Sequence, residues 1–371
     1  MAYYLYSPQN RRLVPAFGHL DLRRAHNDYR PIFSLPPEIL TQIFKYTLEN
    51  NPSPGSVLLH GAICSKWRGM AWSFSELWSK IKIDFEYCEY EPVPTFEPVD
   101  MELLAEWMLR TGTGRLLTLT IHCSLYTIRA PRVCPFIEPV QLLRFLCDHR
   151  HRWEHLNLCI PWGWFKHLNN LDFPKLKYID FTAFDSSPAK PLNPVAVDLG
   201  QWRAGSLQSA HMRGIQVQSL DMPWTQLRCI SFTEMQPEPF FNVLPHFTNA
   251  EEIRVSLLWG CYRPVLSWIS RTQLVVFPAL EHLVIRCEVA TFAAAFLGKL
   301  AAGNLKCLTL SLFREDMDIL PTAIKAFVAQ SKLKKLTLEV DYDNSNATVR
   351  QATEMWQKLV DQALIPVALK G

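Results

Sequence analysis

Leu305-Lys306-Cys307-Leu308-Thr309-Leu310 and Leu333-Lys334-Lys335-Leu336-Thr337-Leu338 repeat one pattern, L-x-x-L-x-L. Its last three positions alternate apolar, polar, apolar. That period of two sends alternate side chains of a strand inward and the residue between them outward. The first leucine sits at the turn into the strand. Working outward, the pattern returns at Leu116–Ile121, Trp153–Leu158, Leu176–Phe181, Leu207–Met212, Leu227–Phe232, Ala250–Val255 and Leu280–Ile285, with Ala210 and Ala250 as small substitutions. Successive starts lie roughly 20 to 40 residues apart, most between 20 and 31. One such unit cannot bury its apolar face alone, so the units must stack, which predicts a solenoid with a parallel sheet on one side.

Between the strands, Pro139 to His149, Glu238 to His246, Phe292 to Leu300 and Leu320 to Ala329 read as helices covering the outer face. Phe173-Pro174 and Phe277-Pro278 fit the turn that enters a strand. The region resembles irregular leucine-rich repeats, whose units run about 20–29 residues. The Asn that follows the core in that family is largely missing, with Cys123, Ala183 and Leu312 in that region. The departure predicts irregular curvature without a regular Asn ladder.

Upstream, the pattern changes. Ser34-Leu35-Pro36-Pro37-Glu38-Ile39-Leu40-Thr41-Gln42-Ile43-Phe44 opens a helix. Its prolines suit a first turn, where missing N–H groups cost little, and Glu38 favours the positive end of the dipole. Ile39, Leu40, Ile43, Phe44 and Leu48 form one apolar stripe, and Asn50 to Gly55 breaks the helix. A second stripe runs through Leu58, Leu59, Ala62, Ile63, Trp67 and Met70, and a third short element ends in Leu77-Trp78. So small a module buries a low fraction of its surface and tends to need a partner.

Three pieces of this segment resemble an F-box: Leu35-Pro36-Pro37-Glu38-Ile39-Leu40, Ile63-Cys64-Ser65-Lys66-Trp67-Arg68 and Ser75-Glu76-Leu77-Trp78-Ser79-Lys80-Ile81. Together with the repeats they resemble the F-box receptors abundant in mushroom-forming fungi. The departures are a missing proline near Phe74 and the polar loop after Asn50. The resemblance implies binding of a Skp adaptor, and through it a cullin, by Leu35, Pro36, Ile39, Leu40, Phe44, Cys64, Trp67, Leu77 and Trp78. It implies a target protein on the repeats, for which Trp162, Trp164, Trp224, Trp259 and Tyr262 are candidate contacts.

The expected architecture is multidomain. Residues 1–33 form an irregular basic lead-in, 34–84 a small all-α F-box module, 85–100 a Pro- and acid-rich linker, and 101–371 an α/β leucine-rich-repeat-like solenoid with a parallel sheet. The expected function is that of a non-catalytic substrate-recognition subunit of a Skp–cullin–F-box ubiquitin ligase. The rival reading is an adaptor-bound F-box or repeat scaffold outside any ligase.

A formal charge of +3 over 371 residues gives no argument for nucleic acid or an acidic membrane. The N-terminus lacks the basic-then-apolar order of a signal peptide, and no apolar run suits a membrane span. The protein is therefore expected in the cytoplasm or nucleus, with its ten cysteines reduced. No cofactor or metal is expected. Cys147, His149, His151 and Cys159 can be drawn as a metal site, but Cys147 falls on an apolar helix face. Asp341 to Ala352 begins like a calcium loop and lacks its Gly and Glu. Gly112-Thr113-Gly114 reads as a turn before the first strand, and no motif announces a catalytic constellation.

Overall fold

The computed structural model describes residues 35–50, 54–86, 98–124, 140–184, 200–215, 220–235, 237–257, 274–287, 290–312, 320–340 and 367–370. The basic lead-in, most of the connector and the Asp341 to Ala352 stretch lie outside them. The chain divides into two compact units, Met1–Cys159 and Ile160–Gly371.

Unit 1 begins with three helices: α1 (Pro37–Asn50), α2 (Pro54–Ile63) and α3 (Ser65–Ser73). The single stripe expected from Leu58 to Met70 is thus two helices. Cys64 separates them in an extended conformation, and its Sγ accepts from Trp67 N at 3.4 Å to cap α3. A 3-10 turn, Ser75–Trp78, leads into strand β1 (Lys80–Glu86), helix α4 (Pro98–Arg110), strand β2 (Leu117–Ser124), helix α5 (Val140–Asp148) and strand β3 (Trp153–Pro161). The strands are parallel, β1 beside β2 and β2 beside β3. Two elements go beyond the sequence reading. β1 runs past Asp84, and α4 starts at Pro98, where proline suits the first helical position.

The end of α4 is clamped. Gly112, at φ 69°, turns the chain, and Gly112 N reaches Leu109 O. The buried guanidinium of Arg152 donates to Thr111 Oγ1 at 2.6 Å, to Gly112 O and to Arg115 O. A cation at this place also meets the negative end of the helix dipole.

Unit 2 continues with β4 (Tyr178–Phe184), β5 (Gly200–Gln201), β6 (Ser209–Arg213), β7 (Leu220–Asp221), β8 (Cys229–Met235), α6 (Pro237–Val243), β9 (Glu252–Leu257), β10 (Val275–Val276) and β11 (His282–Cys287). Then come α7 (Ala290–Leu297), β12 (Leu300–Ala301), β13 (Cys307–Leu312), α8 (Leu320–Ala329), β14 (Lys335–Val340) and β15 (Val367–Lys370). The long strands are all parallel in the order β4-β6-β8-β9-β11-β13-β14-β15, while β5 pairs with β7 and β10 with β12. From β4 to β14, each long strand begins two residues after the leading Leu or Ala of its motif. The third motif positions align across the sheet as Tyr178, Ser209, Cys229, Glu252, His282, Cys307 and Lys335.

The leading residue closes a turn. Leu176, Leu207, Leu227, Ala250 and Leu305 are fully buried, and their N–H groups bond the carbonyls of Phe173, Ala204, Trp224, Phe247 and Ala302, three residues back. At four of the leaders, Leu207, Leu227, Ala250 and Leu305, the residue before supplies a side chain that reaches back to the preceding turn. Ser206 Oγ donates to Pro174 O at 3.0 Å, Gln226 Nε2 to Ala204 O, Asn249 Nδ2 to Thr225 O at 2.7 Å and Asn304 Nδ2 to Pro278 O at 2.6 Å. Unit 2 therefore has a polar ladder, placed before the strand and not after it. Asn304→Ala is expected to lower stability by about 1 kcal/mol, the worth of one such bond. Asn304→Asp should still fall below the wild type: it keeps the contact from Lys332 Nζ, 3.0 Å from Asn304 Oδ1, but its carboxylate faces the carbonyl that the amide donated to. Unchanged urea midpoints in both variants would refute this role.

Outside the turns, Arg228 pairs with Glu251 at 3.4 Å and Lys306 with Glu281 at 2.6 Å. The hydrogen bond from Lys306 holds the Glu281 carboxyl below its ordinary range. What that pair contributes is present above the unfolded pKa and is lost as acid protonates Glu281.

The inward side of the sheet carries the core. Phe232 on β8 is fully buried, with ring centroids 5.9 Å from Phe240 of α6, 5.9 Å from Phe247 and 6.3 Å from Trp224. Phe240 continues to Phe296 of α7 at 5.7 Å, and Phe241 to Phe292 at 5.8 Å. The strand pattern thus meets the helices through a chain of aromatic rings.

Candidate docking surface on the N-terminal helices

The first three helices are built around α1. Leu40 and Phe44 are fully buried, and Val57 of α2, Trp67 and Ala71 of α3, and Leu77 and Trp78 of the 3-10 turn complete the interior. Phe44 stacks on His60 at 4.7 Å and meets Trp67 edge-on at 4.9 Å. His60 Nε2 lies 2.7 Å from Thr47 Oγ1, and burial pulls the His60 pKa below its ordinary value. Trp78 Nε1 donates to Ala71 O at 2.7 Å, which joins the turn to α3.

The residues implied as adaptor contacts therefore separate into two groups. Leu40, Phe44, Trp67, Leu77 and Trp78 lie in the module's interior. They support a surface and do not form it, because the stripe that closes a three-helix core must face inward. Pro36 and Ile39 are exposed, and Leu35 and Cys64 are half-buried, Cys64 serving also as the cap of α3. Residues absent from the implied set join the exposed group. Tyr46 is 70% exposed, Leu59 67% and Ile63 51%, beside 42% for Ile39. Ile39, Ile43 and Tyr46 follow the spacing of one helix face, and Leu59 and Ile63 stand one turn apart on α2. Leu59 and Ile63 belong to the apolar stripe read in the sequence, and period alone does not tell its outer flank from its inner one.

Among the target-contact candidates, Trp164 and Trp224 are buried. Trp224 packs against Phe247 at 5.5 Å, so it is a core residue of the turn and offers no surface. Trp162 is 42% exposed. Trp259 and Tyr262 lie outside the described residues.

Among the described residues no group of three or more His, Cys, Asp or Glu could hold a metal ion. His149 Nδ1 lies 2.9 Å from Phe145 O, with its ring against Phe145. Burial pushes up the thiol pKa values of Cys123, Cys147 and Cys229. No described helix is long and apolar enough to cross a membrane.

No curated protein matches the chain. Residues 32–84 match the family model of F-box-like domains, the same span that forms the three helices, the 3-10 turn and the start of β1. The chain therefore carries an F-box-like domain at its N-terminal end, followed by an α/β region with a mostly parallel sheet.

Proposed function

We propose that this protein is a substrate-recognition subunit of a Skp–cullin–F-box ubiquitin ligase. Its F-box-like domain would hold a Skp adaptor, and its repeats would hold a target protein. The observation that carries the reading is the exposed apolar set Pro36, Ile39, Leu59 and Ile63 on a domain whose own core is already filled. A helix surface of this kind suits recognition by a groove lined with apolar side chains. The aligned parallel strands, with their recurring turn and back-reaching ladder, support reading the second region as a leucine-rich-repeat-like solenoid. In this role the chain performs no chemistry. It raises the target's local concentration near a conjugating enzyme carried by another subunit. The reduced thiols expected from the sequence suit work in the cytoplasm or nucleus.

Calorimetry with a purified Skp adaptor tests the proposal. The full chain should bind, and Ile39→Asp and Ile63→Asp should each weaken binding at least tenfold, about 1.4 kcal/mol or more, with the melting temperature unchanged. Trp67→Ala should lose both binding and helical stability, since Trp67 is interior. A wild-type chain that does not bind the adaptor defeats the reading.

A further inference from the structure

The F-box-like segment ends at residue 84, but its packing does not. Two side chains of α4 reach into it. Trp107 Nε1 donates to Trp78 O at 2.6 Å, with the two rings 4.7 Å apart and edge-on. The guanidinium carbon of Arg110 lies 4.7 Å from the ring centroids of both Trp72 and Trp78. Its Nε and Nη2 donate to Glu106 Oε1, while Nη1 is buried with no hydrogen-bond acceptor among the described residues. A planar cation fits such a place because indole faces attract it on the side away from the Glu106 carboxylate.

From these two tryptophans, two routes lead to the docking helices. Trp78 bonds Ala71 O and so fixes α3. Trp72 lies so close beneath Gly61 of α2 that a Cβ there would overlap its ring. Gly61 O also accepts from Arg68 Nε at 2.9 Å, which ties α2 to α3. Leu59 and Ile63 stand on this same short helix.

We propose that Trp107 and Arg110, outside the F-box-like segment, are positioning residues for adaptor docking: through Trp78 and Trp72 they set the placement of α3 and α2. The inference rests on the adaptor-docking reading above. It makes the first strand–helix–strand of the α/β region part of the docking module, and the sheet edge at β1 then keeps a fixed bearing to the adaptor.

The test uses the full chain, a purified Skp adaptor and hydrogen exchange. Arg110→Ala and Trp107→Ala should weaken adaptor affinity by about tenfold, within the range that interface substitutions span. They should also speed exchange across residues 54–73, leaving β11 and β13 as protected as in the wild type. Arg110→Lys and Trp107→Phe, which keep the charge or the ring, should fall between wild type and the alanine variants. These milder variants keep the test valid if Trp107→Ala unfolds unit 1. Wild-type affinity in Arg110→Ala overturns the proposal, whatever its exchange. If the wild type itself fails to bind the adaptor, the docking reading fails. In that case unchanged exchange at 54–73 in Arg110→Ala overturns the coupling as well, and faster exchange sustains it.

Discussion

Phe232→Ala is expected to destabilise the protein by about 4 kcal/mol, the middle of the range for truncating a buried aromatic residue. Phe232 is fully buried among Trp224, Phe240 and Phe247. Each of those rings belongs to a different turn or helix, so they cannot easily close over the gap. Phe240 and Phe241 carry the contact onward to Phe296 and Phe292. Urea denaturation followed by circular dichroism would show a lower midpoint, and Phe232→Leu should cost about 1.5 kcal/mol, as shape-changing apolar swaps do. A loss below about 1 kcal/mol for Phe232→Ala would mean that the neighbours collapse into the cavity. In a linear array the damage falls first on nearest neighbours, so exchange should rise in β6, β8 and β9 before β14.

Arg152→Met is expected to cost about 2 kcal/mol. The substitution keeps the apolar stem but removes the guanidinium bonds to Thr111 Oγ1, Gly112 O and Arg115 O, leaving Gly112 O only the longer bond from Thr111 Oγ1. Of the three acceptors only Thr111 Oγ1 belongs to a buried residue, and a buried acceptor stripped of a partner loses about 1–3 kcal/mol, partly offset because a buried cation no longer has to be desolvated. That desolvation is visible in the guanidinium, whose pKa burial lowers from its ordinary value. Arg152→Lys should recover little, since one ammonium cannot reproduce the planar fork. Thermal denaturation with hydrogen exchange at residues 107–112 provides the measurement. An Arg152→Met protein as stable as the wild type, with α4 equally protected, would refute the clamp.

Much of the second region was legible because one rule repeats. Apolar alternation located β2 and β3 in unit 1 and every long strand from β4 to β14 in unit 2, and Leu176, Leu207, Leu227, Ala250 and Leu305 stand in turns as their motif position implied. Leu320–Ala329 forms the helix read from its sequence. β1 escaped notice because Lys80-Ile81-Lys82-Ile83 alternates as a strand while also closing the F-box pattern, and the second signal masked the first. α4 was hidden by the prolines around it, though Pro98 sits where a helix tolerates it. The ladder was sought after the strand core, where Cys123, Ala183 and Leu312 stand. The residues that carry it, Ser206, Gln226, Asn249 and Asn304, precede the leader and differ in side-chain length.

The exposed apolar surface of the N-terminal helices was legible as a stripe but not as a face. In a small helical module both flanks of α1 are apolar, and only packing shows that Leu40 and Phe44 turn inward while Ile39 turns outward. The same ambiguity affected the tryptophans. Trp78, Trp107, Trp153 and Trp202 each bury an indole and donate to a backbone carbonyl, of Ala71, Trp78, Leu146 and Leu168. These four buried indoles fasten helices and 3-10 turns to the rest of their unit, so a tryptophan does not by itself mark a target surface.

The back-reaching ladder also bears on how such a chain can lengthen. Each rung needs only a carbonyl in the turn before it, and the turns that carry Ser206 and Gln226 also present a carbonyl, of Ala204 and Thr225, to the rung that follows. A tandem duplication of one unit would bring a donor that finds an acceptor already waiting, and an acceptor that meets the next donor. Growth by copying could then proceed without leaving a polar group stranded at the joint. Divergence in donor length, from serine to glutamine, would come afterwards as neighbouring turns drifted apart.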